Sequence, residues 1–86
     1  FKLNQNYPNP FNPTTKISFS LANAGYTTLK VYNILGKEVA TLFNGNAEAG
    51  RSYSLNFDAK NLTSGIYLYK LQNGNIVEVR KMTLVK

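Results

Sequence analysis

The clearest strand in this sequence is Gly65-Ile66-Tyr67-Leu68-Tyr69-Lys70-Leu71, which carries large apolar side chains at both alternating positions. A half-buried strand alternates apolar and polar residues, whereas a strand in the middle of its sheet or covered on both faces is apolar on both parities. No proline interrupts the stretch, and its aromatic and branched residues suit a pleated surface. The stretch therefore predicts the central strand of the fold.

A hairpin is predicted directly after this strand. Asn73-Gly74 is a strong turn signal, because both residues tolerate positive φ and a type I′ turn matches the twist of the flanking strands. The last strand, residues 76–85, carries four apolar residues that do not share one parity, namely Val77, Val79, Met82 and Leu84. We expect a bulge near Arg80-Lys81 that turns all four toward the core.

Four further strands are predicted upstream, at residues 16–21, 26–34, 38–43 and 51–58. Period-two alternation places one set of their side chains inward, including Ile17, Phe19, Leu21, Leu29, Val31, Tyr53, Leu55 and Phe57. A tight reversal is expected at Leu35-Gly36-Lys37, a loop at residues 44–50, and a corner at residues 59–64 in which Leu62 closes the end of the core.

The strand count predicts an all-β fold. Six clear strands and a possible short one at residues 1–3 recur about every ten residues with turn signals between them, and no helical period occurs, which indicates an antiparallel β-sandwich. Leu62, Gly65 and Tyr67 also resemble the tyrosine corner of immunoglobulin-like sandwiches, in which the ring hydroxyl binds corner backbone. We expect residues 1–86 to form one domain with a Greek-key arrangement.

All three prolines lie in Asn6-Tyr7-Pro8-Asn9-Pro10-Phe11-Asn12-Pro13. This stretch suits neither a helix nor an inner strand, since each proline fixes its φ, lacks a donor and pushes the preceding residue toward extended geometry. A linker and a polyproline ligand are possible interpretations. A third is that Tyr7 and Phe11 fold back as anchors on the domain that follows.

The composition excludes most catalytic chemistry. The chain has no histidine and no cysteine, which removes the usual nucleophile pairs and zinc sites, and each glycine stands alone at a turn, so no phosphate loop is present. We expect no enzyme activity, no metal and no cofactor. The alternatives are a carboxylate pair of Asp58 with Glu78 or Glu38, and a calcium site at Asp58, Asn56 and Asn61.

The net charge of +6 raises the possibility of an anionic partner. The basic residues are spread about one per element, however, and only Arg80, Lys81 and Lys86 lie closer together, so we expect no nucleic acid partner. No apolar run approaches the ~20 residues that a membrane helix needs, and we expect no direct membrane insertion. Exposed tyrosines, for which Tyr26, Tyr32 and Tyr69 are candidates, would instead suit a carbohydrate-binding or adhesive module.

Four local signatures together closely resemble the C-terminal sorting domain, type A, of type IX secretion substrates. They span essentially the whole chain and are Gln5-Asn6-Tyr7-Pro8-Asn9-Pro10-Phe11-Asn12-Pro13-Thr14-Thr15, Val31-Tyr32-Asn33-Ile34-Leu35-Gly36-Lys37-Glu38-Val39, Leu62-Thr63-Ser64-Gly65-Ile66-Tyr67-Leu68-Tyr69 and Lys81-Met82-Thr83-Leu84-Val85-Lys86.

The resemblance implies a seven-stranded immunoglobulin-like sandwich that serves as an address at the C-terminus of a larger secreted cargo protein. Its implied partners are the outer-membrane translocon and a sortase-like peptidase, which removes the domain and joins the cargo to an anionic surface lipopolysaccharide, while some cargo is released. The implied location is the cell surface or the medium. A structural spacer or assembly module is the remaining alternative.

The resemblance also assigns residues by position. Recognition by the secretion machinery falls on Lys81, Met82, Lys86, Gly65 and Tyr67, and the domain-opening motif on Pro8, Asn9, Pro10 and Phe11. Glycine, tyrosine and methionine at these positions would serve the folding of any sandwich. We therefore expect the exposed polar members, Lys81 and Lys86, to be the recognition residues that have no role in the core.

Overall fold

The computed structural model describes all 86 residues and contains seven β-strands and no helix. The strands are β1 (Lys2–Leu3), β2 (Thr14–Ser20), β3 (Gly25–Asn33), β4 (Glu38–Ala47), β5 (Ser52–Asp58), β6 (Gly65–Asn73) and β7 (Ile76–Leu84). One antiparallel sheet has the order β1-β2-β5 and the other the order β4-β3-β6-β7. Because β6 returns to lie beside β3, strands β3 to β6 form a Greek key. The predicted all-β, immunoglobulin-like sandwich of seven strands is confirmed.

The core lies between the two sheets and contains 15 buried apolar residues. The inward parity predicted for β2 and β3 is confirmed, since Ile17, Phe19, Leu29 and Val31 are fully buried. The Phe19 ring stacks on Tyr53 of β5 with centroids 5.1 Å apart. Parallel offset aromatic pairs of this kind add to the stability that burial of apolar area provides.

Strand β6 is central in its sheet, between β3 and β7. Its outer face is not covered, because Ile66 keeps 43% of its surface exposed. The apolar residues on both parities therefore reflect the central position of the strand. The Tyr67 hydroxyl donates a 2.7 Å hydrogen bond to the Thr63 carbonyl, which confirms the tyrosine corner, and Leu62 packs against the core as expected.

The β3–β4 hairpin differs from the sequence prediction at both ends. The reversal covers residues 34–37, so it begins one residue earlier than expected, and β4 continues to Ala47. The loop predicted for residues 44–50 is therefore wrong in its first half, where Asn44 still pairs with Thr28 of β3. Polar residues continue this strand because β4 is an edge strand and its pairing uses backbone groups alone.

The β6–β7 hairpin lies where it was expected, but the turn is shifted by one residue. Asn73 pairs with Ile76, so Gly74 and Asn75 are the two central residues. Only Gly74 has positive φ, at 60°, which fits a type II′ turn and contradicts the type I′ prediction. Asn73 belongs to the strand because its side chain is buried and donates to the Thr27 hydroxyl.

The bulge predicted in β7 does not exist. The strand pairs with β6 without a register shift, and Val77 and Val79 are about half exposed on the outer face while Met82 and Leu84 are buried. The inner face of its first half carries Glu78 and Arg80 instead. Both side chains are partly exposed, and the Arg80 guanidinium donates to the Leu3 carbonyl of β1. Charged groups on this face also protect the edge of the sheet.

Candidate functional site

The two ends of the chain meet along the free edge of β7. We call residues 6–13 the opening segment. The Phe11 amide donates to the Thr83 carbonyl and the Val85 amide donates to the Phe11 carbonyl, each at a distance of 2.9 Å. The Thr83 amide donates to the Asn9 side-chain oxygen, 74 residues away in sequence, over 3.0 Å. The opening motif and the terminal motif therefore form one junction, which the sequence did not predict.

Phe11 anchors this junction in the core. Its side chain is 1% exposed, and its ring centroid lies 6.1 Å from that of Phe57. The expectation that Phe11 folds back is confirmed, whereas the same expectation for Tyr7 is wrong, because Tyr7 is 81% exposed. The Tyr7 backbone pairs with Lys16, and residues opposite each other in a pair project from the same face, which here is the outer one.

A buried polar network fixes the start of the opening segment. The Asn6 side chain, which is 2% exposed, donates to the Thr15 hydroxyl over 3.0 Å and to the Pro8 carbonyl over 3.2 Å. The Tyr69 hydroxyl accepts a 2.9 Å hydrogen bond from the backbone amide of Asn6 and donates a 2.8 Å hydrogen bond to the backbone carbonyl of Asn4. Burial raises the pKa of Tyr69 above its ordinary value, so the phenol is neutral and can donate.

Sequence reasoning missed this network. One signal was available, because Thr15 shares the inward parity of Ile17 and Phe19 in β2 and a buried hydroxyl requires a partner. Tyr69 was placed among the outward tyrosines, and that interpretation is wrong, since the side chain is fully buried. All three peptide bonds that precede the prolines of the opening segment are cis.

The terminal strand divides the predicted recognition residues into two groups. Met82 and Tyr67 lie opposite each other in the β6–β7 pair and are both buried, so they contact the core rather than solvent. Gly65 is exposed at the start of β6, and Lys81 is exposed on β7. The backbone carbonyl of Lys81 accepts a 2.9 Å hydrogen bond from the Gln5 side chain. The side-chain ammonium of Lys81 takes no part in this bond.

Lys86 lies beside the corner that precedes β6. Its amide donates to the Ser64 hydroxyl over 3.0 Å, and its ammonium donates to the Lys60 carbonyl. The three ion pairs of the structure join Lys30 to Glu38, Arg51 to Glu48 and Arg80 to Glu78. Neither Lys81 nor Lys86 is in an ion pair, so the positive charge at this end of the molecule is uncompensated.

The other candidate sites are shallow or dispersed. The residues of the structure form no group of three or more acidic, histidine or cysteine side chains that could hold a metal ion. The Asp58 carboxylate accepts from the Lys60 amide over 3.0 Å. Tyr26 is 59% exposed beside an open cavity of about 460 Å³, and the Lys70 ammonium lies 5.2 Å from the ring centroid of Tyr32. No helix in the structure has the length and apolar character needed to cross a membrane.

The fold and the junction define a small immunoglobulin-like β-sandwich domain whose opening and terminal motifs are held together. The family model described as the secretion system C-terminal sorting domain matches residues 5–86. The chain therefore belongs to the family of C-terminal sorting domains of type IX secretion. Members of this family direct proteins to export by that system, and the match begins at Gln5, whose side chain donates to the Lys81 carbonyl. No curated protein and no solved structure matches the chain significantly.

Proposed function

We propose that this domain is a non-catalytic export address, which the outer-membrane translocon recognises in its folded state through the basic side chains at the end of the chain. One observation carries the proposal: Lys81 in β7 and Lys86 just after it carry ammonium groups that are in no ion pair, on a terminal segment whose position Asn9 and Phe11 fix. Fixed charges of this kind give a partner both specificity and a faster encounter.

Recognition in the folded state follows from where the motif residues lie. Met82 and Tyr67 are buried in the pair between β6 and β7, so a partner that read their side chains directly would have to unfold the sheet. Their contribution is to hold the strand that carries Lys81. Substitution of the buried residues would then abolish export through loss of the fold, and substitution of the lysines through loss of contact.

A charge-matched pair of variants tests the proposal. The domain is fused to a periplasmic reporter in a host that has the secretion system, and export is measured for Lys81→Gln/Lys86→Gln and for the control Lys2→Gln/Lys16→Gln. All four lysines are exposed and outside ion pairs. Each variant loses two positive charges, so the two variants have the same net charge. We expect export of the first variant to fall about ten-fold, which corresponds to a loss of about 1.4 kcal/mol of binding free energy. We expect export of the control to be unchanged.

Equal export of both variants and the unmodified fusion would refute the assignment of the lysines. Truncation of residues 81–86 is a poorer test, because it removes the buried Met82 and Leu84 together with the charges. Loss of export on truncation would not separate unfolding from loss of recognition.

We also propose that a sortase-like peptidase removes the domain after export and joins the cargo to an anionic surface lipopolysaccharide or releases it. Family membership supports this step. Leu3 is 2% exposed and Phe11 is 1% exposed, so cleavage of the chain within the β-sandwich would expose apolar residues of its core. We therefore expect the cut to precede Leu3, and mass spectrometry of the mature cargo would identify its C-terminal residue. A cut after Phe11 would contradict this.

Polysaccharide binding is a second candidate function, favoured by the exposed ring of Tyr26 beside its open cavity. Lys30, Thr28 and Gln72 supply polar groups along the same cavity, and an exposed aromatic face next to hydrogen-bonding groups suits a sugar ring. Affinity electrophoresis in polysaccharide gels tests this function. Retardation that Tyr26→Ala abolishes would support it, and equal mobility with and without polysaccharide would exclude it for the glycans tested.

A further inference from the structure

The β3–β4 reversal is a rigid loop. The Gly36 amide donates to the Asn33 carbonyl over 3.0 Å, and the Asn33 amide donates to the Lys37 carbonyl over 2.9 Å. Neither Ile34 nor Leu35 has positive φ, whereas Gly36 has φ of 85°, which describes a type I turn followed by a left-handed residue. The Asn33 side-chain oxygen accepts from the Leu35 and Lys37 amides as well, so five residues are held by four hydrogen bonds.

The two residues at the tip of this loop are large, aliphatic and exposed. Ile34 is 72% exposed and Leu35 is 88% exposed. Turn positions usually carry glycine, asparagine, aspartate or serine, because glycine adopts positive φ and the other three side chains form hydrogen bonds with the backbone of the turn. Neither side chain belongs to the core cluster, so the fold does not explain them. Burial of such a side chain by a partner is worth about 1.5 to 3 kcal/mol.

A groove extends from this tip to the corner before β6. Its volume is about 320 Å³, and its lining includes Ile34 and Leu35 on one side and Ser64, Gly65 and Ile66 on the other. Ile66 is 43% exposed and continues the apolar surface. We call Ile34, Leu35 and Ile66 the apolar tip.

Positive charge borders the apolar tip. Lys37 follows the loop directly, and Lys86 lies at the groove because its amide binds Ser64. Neither lysine is in an ion pair. Glu38 follows Lys37 in sequence, but its carboxylate accepts from the Thr41 hydroxyl, which is the main cause of its lowered pKa, and it pairs with Lys30. The surface therefore combines a preorganised aliphatic anchor with unpaired basic groups at its margin.

We propose that the apolar tip is the anchor by which the domain binds a protein of the secretion machinery, and that this partner offers an apolar pocket bordered by carboxylates. The inference rests on the proposed export function and adds to it the contact surface and the chemistry of the partner. A buried aliphatic anchor with charged groups at the rim is the usual distribution of binding energy at protein interfaces. The rigidity of the loop reduces the entropy lost on binding.

The test compares Ile34→Ser/Leu35→Asn with the control Val77→Thr/Val79→Thr in the reporter fusion. The control pair lies on the same sheet, is also apolar and is about half exposed, and threonine preserves the strand preference. Serine and asparagine suit turn positions, so both purified variants should melt within about 2 °C of the unmodified domain. Should the tip pair melt lower, Leu35→Asn alone serves as the tip variant.

Export of the tip variant should fall at least about ten-fold, with the fusion retained in the periplasm, while the control is exported normally. Equal loss in both variants would overturn the inference, because exposed apolar area in general would then be responsible. Export of the tip variant at the unmodified rate would overturn it and leave the export function intact. Export of the unmodified fusion in a host that lacks the system would instead refute the export function itself.

The test must also distinguish a partner protein from a second copy of the domain at the apolar tip. Size-exclusion chromatography of the purified domain separates the two cases. A dimer that the tip substitutions dissociate would assign the surface to self-association and overturn the proposal, whereas a monomer at all concentrations would support a heterologous partner.

Discussion

Replacing Tyr69 with phenylalanine removes one hydroxyl that joins strand β6 to the start of the chain. This hydroxyl accepts from the buried Asn6 amide over 2.9 Å and donates to the Asn4 carbonyl over 2.8 Å. The ring itself is retained, so the substitution leaves the apolar packing of the core unchanged. The change in stability therefore measures how strongly the core holds the opening segment.

The expected loss follows from the groups left without partners. A hydrogen bond contributes about 1 kcal/mol net, and an unsatisfied buried amide costs about 1–3 kcal/mol. Loss of both contacts at Tyr69 should lower the free energy of unfolding by about 2–3 kcal/mol. A domain of this size has a total stability of roughly 4–13 kcal/mol, and Tm should fall by about 10–20 °C.

The effect should also depend on pH. Burial raises the pKa of Tyr69 above 10.0, so above about pH 10 the unfolded chain releases this proton while the folded chain keeps it. The unfolded state then binds fewer protons, and the contribution of Tyr69 to stability, which is complete below pH 10, falls as pH rises. The stability difference between the unmodified domain and Tyr69→Phe should narrow from pH 9 to pH 11.

Urea unfolding followed by circular dichroism measures both quantities. Tyr7→Phe is the matched control, because Tyr7 is 81% exposed and its hydroxyl makes no hydrogen bond in the structure, so its stability should change by less than about 0.5 kcal/mol. The reasoning is refuted if Tyr69→Phe unfolds at the same urea concentration as the unmodified domain. A difference that is constant from pH 9 to pH 11 would refute the pH argument alone.

Three further substitutions test other parts of the structure. Gly74→Ala should destabilise the domain by about 1–2 kcal/mol, because alanine is strained at a φ of 60°, whereas Gly45→Ala, which has open space and no positive φ, should be near neutral in thermal melts. Phe11→Ala should cost about 3–5 kcal/mol and detach the opening segment, which faster amide exchange at Thr83 would reveal and unchanged protection would contradict. Thr41→Val should raise the pKa of Glu38 toward its ordinary value of 4.5, since the Thr41 hydroxyl bond is the main cause of its lowering; an NMR titration in which this pKa does not move would exclude that cause.

The sequence was most informative where a local pattern decides which face of a strand is buried. In β2 and β3 the alternation identified Ile17, Phe19, Leu29 and Val31, because a strand projects successive side chains to opposite faces. The tyrosine corner at Tyr67 was likewise predictable, since its donor and acceptor lie four residues apart. These features depend on residues close together in the chain.

The same reasoning failed in β7, where both parities carry apolar residues. The valines were expected inward, yet β7 presents Val77 and Val79 to solvent and turns Arg80 toward Leu3, whose carbonyl accepts from its guanidinium over 2.7 Å. The choice depends on how far the opposite sheet extends over each strand. No pattern within β7 records that extent.

Local patterns along the chain were enough to predict the strands, most of their buried faces and the family. Three features became visible only in the folded molecule: the opening segment pairs with the terminal strand, Tyr69 is a buried link rather than an exposed ring, and Ile34 and Leu35 extend beside a groove that Lys37 and Lys86 border. The physical reason is that side-chain periodicity reports the environment along one strand, while backbone hydrogen bonds between distant segments leave no periodic signal. The bond between Thr83 and Asn9, 74 residues apart, exists only once both sheets have packed.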